Sequence, residues 1–268
     1  MLRQISLVVL IACVACSDAV AGCGCSDEAQ PAFAPAAAAQ PVAGDPAQPV
    51  AAAAGAISGK ITFEGTPPAR EKVDLSPDPV CHKAHGEEGM QNPVAVEVGA
   101  GGGLKNVFVW IANVPDAGHK DGKDAPAVVL DQVGCNYEPH IFGVLKRQKV
   151  SIKNSDPTLH NIHGQPRTNK EFNYAMPNQG DEREVEFKKV EEAVKIKCDV
   201  HPWMAAWCFV MEHTYFAVTG ADGAFSFDGA GLPDGEYEVK AWHEVLGEAS
   251  GKVTVKDGAA TFSHAFKR

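Results

Sequence analysis

The segment 193–211 reads AVKIKCDVHPWMAAWCFVM. Its first half, 193–198, alternates apolar and polar residues as a half-buried strand does, and 207–211 reads as the partner strand. Between them lie Cys198, Asp199, Val200, His201, Pro202, Trp203 and Met204. This loop offers a thiolate, an imidazole and a thioether at the spacing C-x2-H-x2-M. A hairpin end of this kind wraps a metal ion on three sides and leaves the fourth donor to another strand. There is room for one helical turn at 202–206.

The fourth donor is sought upstream, where 154–164 reads NSDPTLHNIHG. Asn154 to Pro157 make a turn, because Asn and Asp bond back to their own backbone there. His160 and His163 follow on an expected strand. In a regular strand residues three apart point to opposite faces, so only one of the two can share a site with the loop, and His160 is favoured over His163. His140, after Glu138 and Pro139, is a further candidate, but reads more simply as a loop histidine. Two imidazoles, one thiolate and one weak thioether are the donor set of a mononuclear type 1 copper electron-transfer centre. Zinc fits less well, since Met is an unusual zinc ligand. The rival reading pairs Cys198 with Cys208 across the hairpin, which would destroy the site. Met204 taken alone is more often core filler than ligand.

Working outward, strands are expected at 57–64, 94–98, 105–111, 128–130, 141–144, 149–154, 159–162, 184–187, 216–219, 225–227, 236–242, 252–255 and 260–266. The run 105–111 suits burial on both faces. Asp-Gly and Pro-Asp-Gly steps between the C-terminal segments are hairpin signals, and no segment carries a long helix. The fold class is all-β, read as two sandwiches with boundaries near 126 and 215. The stretch 65–102 is rich in turns.

Behind Arg3, the apolar run 4–16 is too short for a membrane span and suits an export signal within 1–22. Ala19-Val20-Ala21 suits an ordinary cleavage site, while Val20-Ala21-Gly22-Cys23 has the form of a bacterial lipobox, which would place a lipid on Cys23. Residues 29–56 are Ala, Pro, Gln and Gly almost throughout and read as a disordered tether within 23–56. The net charge is −10 with no basic patch, which argues against nucleic acid and suits a basic redox partner. In an oxidising compartment Cys81 and Cys135 are the expected bridge, because Cys198 is needed elsewhere, and Cys208 is then a buried free thiol. No C-x-x-C-H haem motif, nucleophile elbow, zinc-protease motif or nucleotide-binding glycine motif occurs, so enzyme activity is not expected.

On these residues the chain resembles the cupredoxins. CDVHPWM is similar to the ligand loop of the amicyanin and pseudoazurin side of that family, and Asn154-Ser155-Asp156 with His160-Asn161 looks like the plastocyanin-type segment. The resemblance implies a Greek-key β-sandwich over 127–215 holding one type 1 copper at His160, Cys198, His201 and Met204. Asn161 would hold the loop by a hydrogen bond. Trp203, beside an exposed ligand His201, would form an apolar docking rim or cap the barrel end. Segment 216–246, with its D-G-x-F and P-x-G-x-Y steps, resembles the carboxypeptidase regulatory-like sandwich, and 57–67 is similar to that domain's opening strand. The layout implied has 57–126 packing with 216–268 and the cupredoxin inserted between. Trp242, His243 and Glu244 would be a strand end packed on the cupredoxin. More broadly, the chain looks like exported plastocyanin or methylamine-utilisation-like proteins. The implied function is electron carriage with a c-type cytochrome or terminal oxidase, in the periplasm or at the cell surface. The alternatives are copper delivery and a metal-free structural protein.

Overall fold

A computed structural model describes residues 55–268. The expectations of an export signal, a lipidated Cys23 and a tether fall on residues outside that range, apart from positions 55 and 56. Among the described residues no helix is long and apolar enough to cross a membrane.

The described chain is all-β, in two pairs of sheets and a small two-stranded one of Lys72–Val73 with Met90–Gln91. One pair joins a five-stranded sheet, in the order Phe172–Met176, His160–Gln165, Glu191–Lys197, Ala205–Met211, Ile141–Leu145, to a four-stranded sheet, in the order Glu182–Glu186, Lys149–Asn154, Val128–Val133, Asn136–Glu138. Alternation explains how they meet: Val150 and Ile152 of one sheet and Ile162, Val194 and Ile196 of the other are buried in one shared core. The other pair joins Ala224–Asp228, Ala56–Glu64 and Ala260–Lys267 to Phe216–Val218, Phe108–Ile111, Gly235–His243 and Gly247–Val255. Ile57, Ile61, Val109, Ile111, Val239 and Phe262 form its core.

The strand Phe108–Ile111 is buried along its whole length. Val109 and Ile111 point into the second core, while Phe108 and Trp110 meet Ile141, Phe209 and Met211 of the five-stranded sheet in a third cluster. Phe108 stacks on Phe209 at 4.0 Å between centroids, and Trp242 meets both Phe209 and Trp207 edge-on. Glu244, just beyond the strand Gly235–His243, is bound by His140 and by the Trp207 indole N–H at 2.6 and 2.7 Å. His140 is therefore no free loop residue: it is buried, and its other ring nitrogen meets the Ala205 carbonyl at 2.9 Å.

Three local expectations change. The turn-rich stretch contains a helix, Pro79–His85, capped by Asp78 with Pro at its first position. The expected strand at 94–98 reduces to a single bridge between Val98 and Leu104. Short strands at Asn136–Glu138 and Phe172–Met176 were not expected.

His243 illustrates a cost of the second core. It is fully buried, its Nδ1 accepts the Val245 N–H, and its Nε2 has no partner. Burial pushes its pKa down to about 4, and burial followed by the neighbouring His119 does the same for His213. Between pH 6.5 and 4 the unfolded chain binds these protons and the folded chain does not. The stability is thus present above pH 6.5 and falls as the pH drops toward 4, by on the order of 3 kcal/mol for each histidine. The melting temperature should fall between pH 7 and 4.5, and should fall less in His243→Phe. A pH-independent melting temperature would refute this assignment.

Candidate metal centre

The ligand loop is built by strand pairing. In the hairpin Lys197 pairs with Ala205, so 198–204 is the connection between the paired ends. The Cys198 N–H donates to the Met204 carbonyl (3.2 Å), and the Met204 N–H donates to the His201 carbonyl (3.0 Å). The His201 N–H points at Cys198 Sγ at 3.3 Å, a contact that favours a thiolate. On the other side of Glu191–Lys197, Lys197 pairs with His163. That register places His160, three residues earlier in an antiparallel strand, level with the loop.

The result is a buried cluster in which donor atoms of His160, Cys198 and His201 all lie within 4.8 Å of one another. Met204 is fully buried at the loop's end, in the same core as Cys198. His160 Nδ1 and His201 Nδ1 face each other at 2.9 Å, and Cys198 Sγ is 3.9 Å from His201 Nδ1. His163 is elsewhere, bound by Glu171 and Asp199 on the outer face at 2.6 and 3.0 Å. Cys198 and Cys208 are both free thiols, and Cys81 is bridged to Cys135. Closing a loop of 54 residues in this way is worth about 4 kcal/mol in the chain-entropy account.

Asn161 holds the loop from the side, its Oδ1 accepting the Asp199 N–H at 3.0 Å. The Tyr137 hydroxyl in turn donates to the Asn161 carbonyl at 2.6 Å. His201 departs from expectation. It is only 3 % exposed, because the helix Pro79–His85 and the disulfide lie over its outer edge, with Asp78 Oδ2 3.1 Å and Cys81 Sγ 3.9 Å from its Nε2. Trp203 lies beside His201 and donates its indole N–H to the Cys135 carbonyl at 3.0 Å, which ties the loop to the disulfide.

Two residues of this site were missed in the sequence. Asp156 Oδ2 lies 2.8 Å from His160 Nε2, and Asp78 does the same for His201. A carboxylate four residues before a candidate ligand was a usable signal for Asp156. Asp78, followed by Pro79, carried only the signal of a helix start.

The electrostatics fit a soft cation. Burial opposes ionisation of Cys198, but hydrogen bonding from His160 and His201 outweighs it and brings the thiol down to about 6. Burial also opposes charge on His160, yet Asp156 and Cys198 raise it to about 9. Asp156 and Asp78 are held below the usual carboxylate range, despite burial, by the N–H, O–H and imidazole groups around them. Both Nε2 atoms face carboxylates and carry ring protons; the raised His160 holds a second proton on Nδ1, and its loss on metal binding leaves two Nδ1 lone pairs facing inward. Two such lone pairs 2.9 Å apart beside a thiolate repel unless a proton or a metal ion lies between them. Two imidazoles, a thiolate and a nearby thioether suit copper.

No protein-family model matches this sequence, and no curated protein matches it. Among solved structures, the chain is similar to a purple cupredoxin from Nitrosopumilus maritimus, at 23% identity over 31% of this chain and 99% of that one, with a TM-score of 0.28. It is similar to the Cu(I) form of an amicyanin variant at 20% identity, over 38% of this chain and 99% of that one, with a TM-score of 0.29. A Cu-containing nitrite reductase from Thermus scotoductus SA-01 matches at 19% identity, over 32% of this chain and 23% of that one, with a TM-score of 0.28. The chain thus spans less than a quarter of that reductase. Likeness at these TM-scores carries no argument, and the chemistry rests on the geometry of the cluster.

Proposed function

We propose that this chain is an exported protein that binds one copper ion through His160, Cys198, His201 and Met204 and carries single electrons between redox partners. The observation that carries this reading is the meeting, inside a closed core, of two Nδ1 atoms and a low-pKa thiol. Copper bound there supplies a one-electron Cu(I)/Cu(II) couple. The chain's own part is to hold the donors in one arrangement for both oxidation states, which the hairpin register, Asn161 and the disulfide accomplish, and to exclude water.

A groove of about 650 Å³ runs up to His201, between Pro202 and Trp203 on one side and Lys72, Asp74 and Asp78 on the other. A partner seated in it comes close to a ligand, and the net charge of −10 suits a basic face such as that of a c-type cytochrome. Tethering by a lipid on Cys23 would keep the carrier at a membrane that holds a terminal oxidase. Burial of every donor favours retention of the ion, which ranks carriage above copper delivery. Burial of the donors also favours a non-enzymatic role.

Mixing the copper-loaded, reduced chain with a ferric c-type cytochrome in a stopped-flow spectrometer tests the proposal. A second-order oxidation that slows as salt is raised is expected. Transfer of Cu(I) to an apo copper acceptor, with no oxidation by any cytochrome, would make delivery the function instead.

A further inference from the structure

Each of the two histidines is held from behind by a carboxylate, and the two carboxylates are tied together by one covalent bond. Asp156 Oδ2 meets His160 Nε2 at 2.8 Å and also accepts the Cys135 N–H at 2.8 Å. Asp78 Oδ2 meets His201 Nε2 at 3.1 Å, while its Oδ1 accepts the Cys81 N–H at 3.0 Å. Cys81 and Cys135 are the two ends of the disulfide. Thr158, between Asp156 and His160, closes the frame by donating its hydroxyl to Asp78 Oδ2 at 2.9 Å.

We propose that Asp78, Asp156 and the Cys81–Cys135 bond form a clamp that fixes both histidines in the Nε2–H tautomer and so aims two bare Nδ1 atoms at the copper. This rests on the copper reading above. A carboxylate accepts but does not donate, so an imidazole nitrogen facing it carries the proton. The opposite nitrogen is then the donor atom, and contact with an anion raises its basicity. The clamp is not symmetric. Asp156 and His160 belong to one turn and strand and are placed without help. Asp78 reaches His201 only through the short helix Pro79–His85, whose one fully buried residue is Cys81. The disulfide is the covalent part of what keeps Asp78 on His201, beside the Thr158 hydroxyl and the small core of Leu75 and Met90. Asp78 and Asp156 act as positioning residues through the histidines.

The test uses the full chain loaded with Cu(I), labelled with 15N. Two slowly exchanging ring Nε2–H resonances are expected, one from His160 and one from His201. Asp156→Asn should remove the first and Asp78→Asn the second, since either amide presents a donor where an acceptor is required or breaks its backbone bonds. Each change should weaken Cu(I) binding, measured against a chromophoric chelator, by about 10–100-fold. Each should also raise the reduction potential, because an anionic partner favours Cu(II). Replacing both Cys81 and Cys135 by Ala should expose the His201 Nε2–H to exchange and leave that of His160 protected. Ring protons on Nδ1 in the wild-type Cu(I) protein would overturn the clamp whether or not the variants fold. Unchanged affinity and potential in both Asn variants would overturn it too. A wild-type chain that takes up no copper overturns the function and the clamp together. One that shows the sulfur-to-copper band with unprotected rings overturns the clamp alone.

Discussion

Cys198→Ala is expected to abolish an intense visible sulfur-to-copper band that the wild-type chain develops at one equivalent of Cu(II). Loss of a partner behind a ligand commonly costs about 10–100-fold in metal affinity, and loss of the thiolate itself should exceed that. His160→Ala should perturb the band and its EPR signal. His163→Ala should leave both unchanged, because that ring is bound on the outer face by Glu171 and Asp199. The expectation follows from charge: Cys198 is the donor whose thiol lies near 6. Cys208, the other free cysteine among the described residues, is fully buried and pushed well above its ordinary value by that burial. A band that survived Cys198→Ala would remove the basis of the copper assignment.

The second large effect lies away from the site. Phe209→Ala should destabilise the protein by about 3–5 kcal/mol. Phe209 is fully buried, stacks on Phe108 at 4.0 Å and touches Trp110 and Trp242. Its removal opens a cavity where the five-stranded sheet meets the strand Phe108–Ile111, and rigid sheets on both sides cannot collapse into it. Denaturant melts at equal copper loading read this directly. A loss under about 1 kcal/mol would mean that the aromatic cluster bears little of the stability.

How legible each part was depended on whether its cause is local. The strand Lys149–Asn154 was readable to the residue because its burial alternates cleanly, with Val150, Ile152 and Asn154 inward. The loop 198–204 was readable because its donors recur at every third residue, directly after an alternating strand. The strand period separated His160 from His163, and the turn before His160 and the Asn161 after it favoured the first; the structure places His160 in the buried cluster and His163 on the outer face. The pairing of Cys81 with Cys135 followed from withholding Cys198, and it is present. By contrast, Phe172–Met176 has exposed residues at three central positions, and Asn136–Glu138 is three residues long. Neither offers a period, and both are strands only because a neighbour supplies the ladder. The helix Pro79–His85 is too short to show an amphipathic stripe.

By itself the sequence determined that the chain is built from strands, that 198–204 is a loop of donors, and which residue types stand ready for a metal. These follow from alternation and from spacing along the chain, which involve only near neighbours. Tertiary structure alone decided that His201 is covered, that His140 is bound to Glu244, and that Asp78 stands behind a histidine 123 positions away. Each depends on how segments far apart in sequence pack, and a polar side chain carries no mark of its distant partner. The expected exposed edge of His201 failed for that reason: the turn-rich stretch that covers it is placed by a disulfide, a helix cap and a small core of Leu75 and Met90 with Trp203, contacts that leave no period along the sequence.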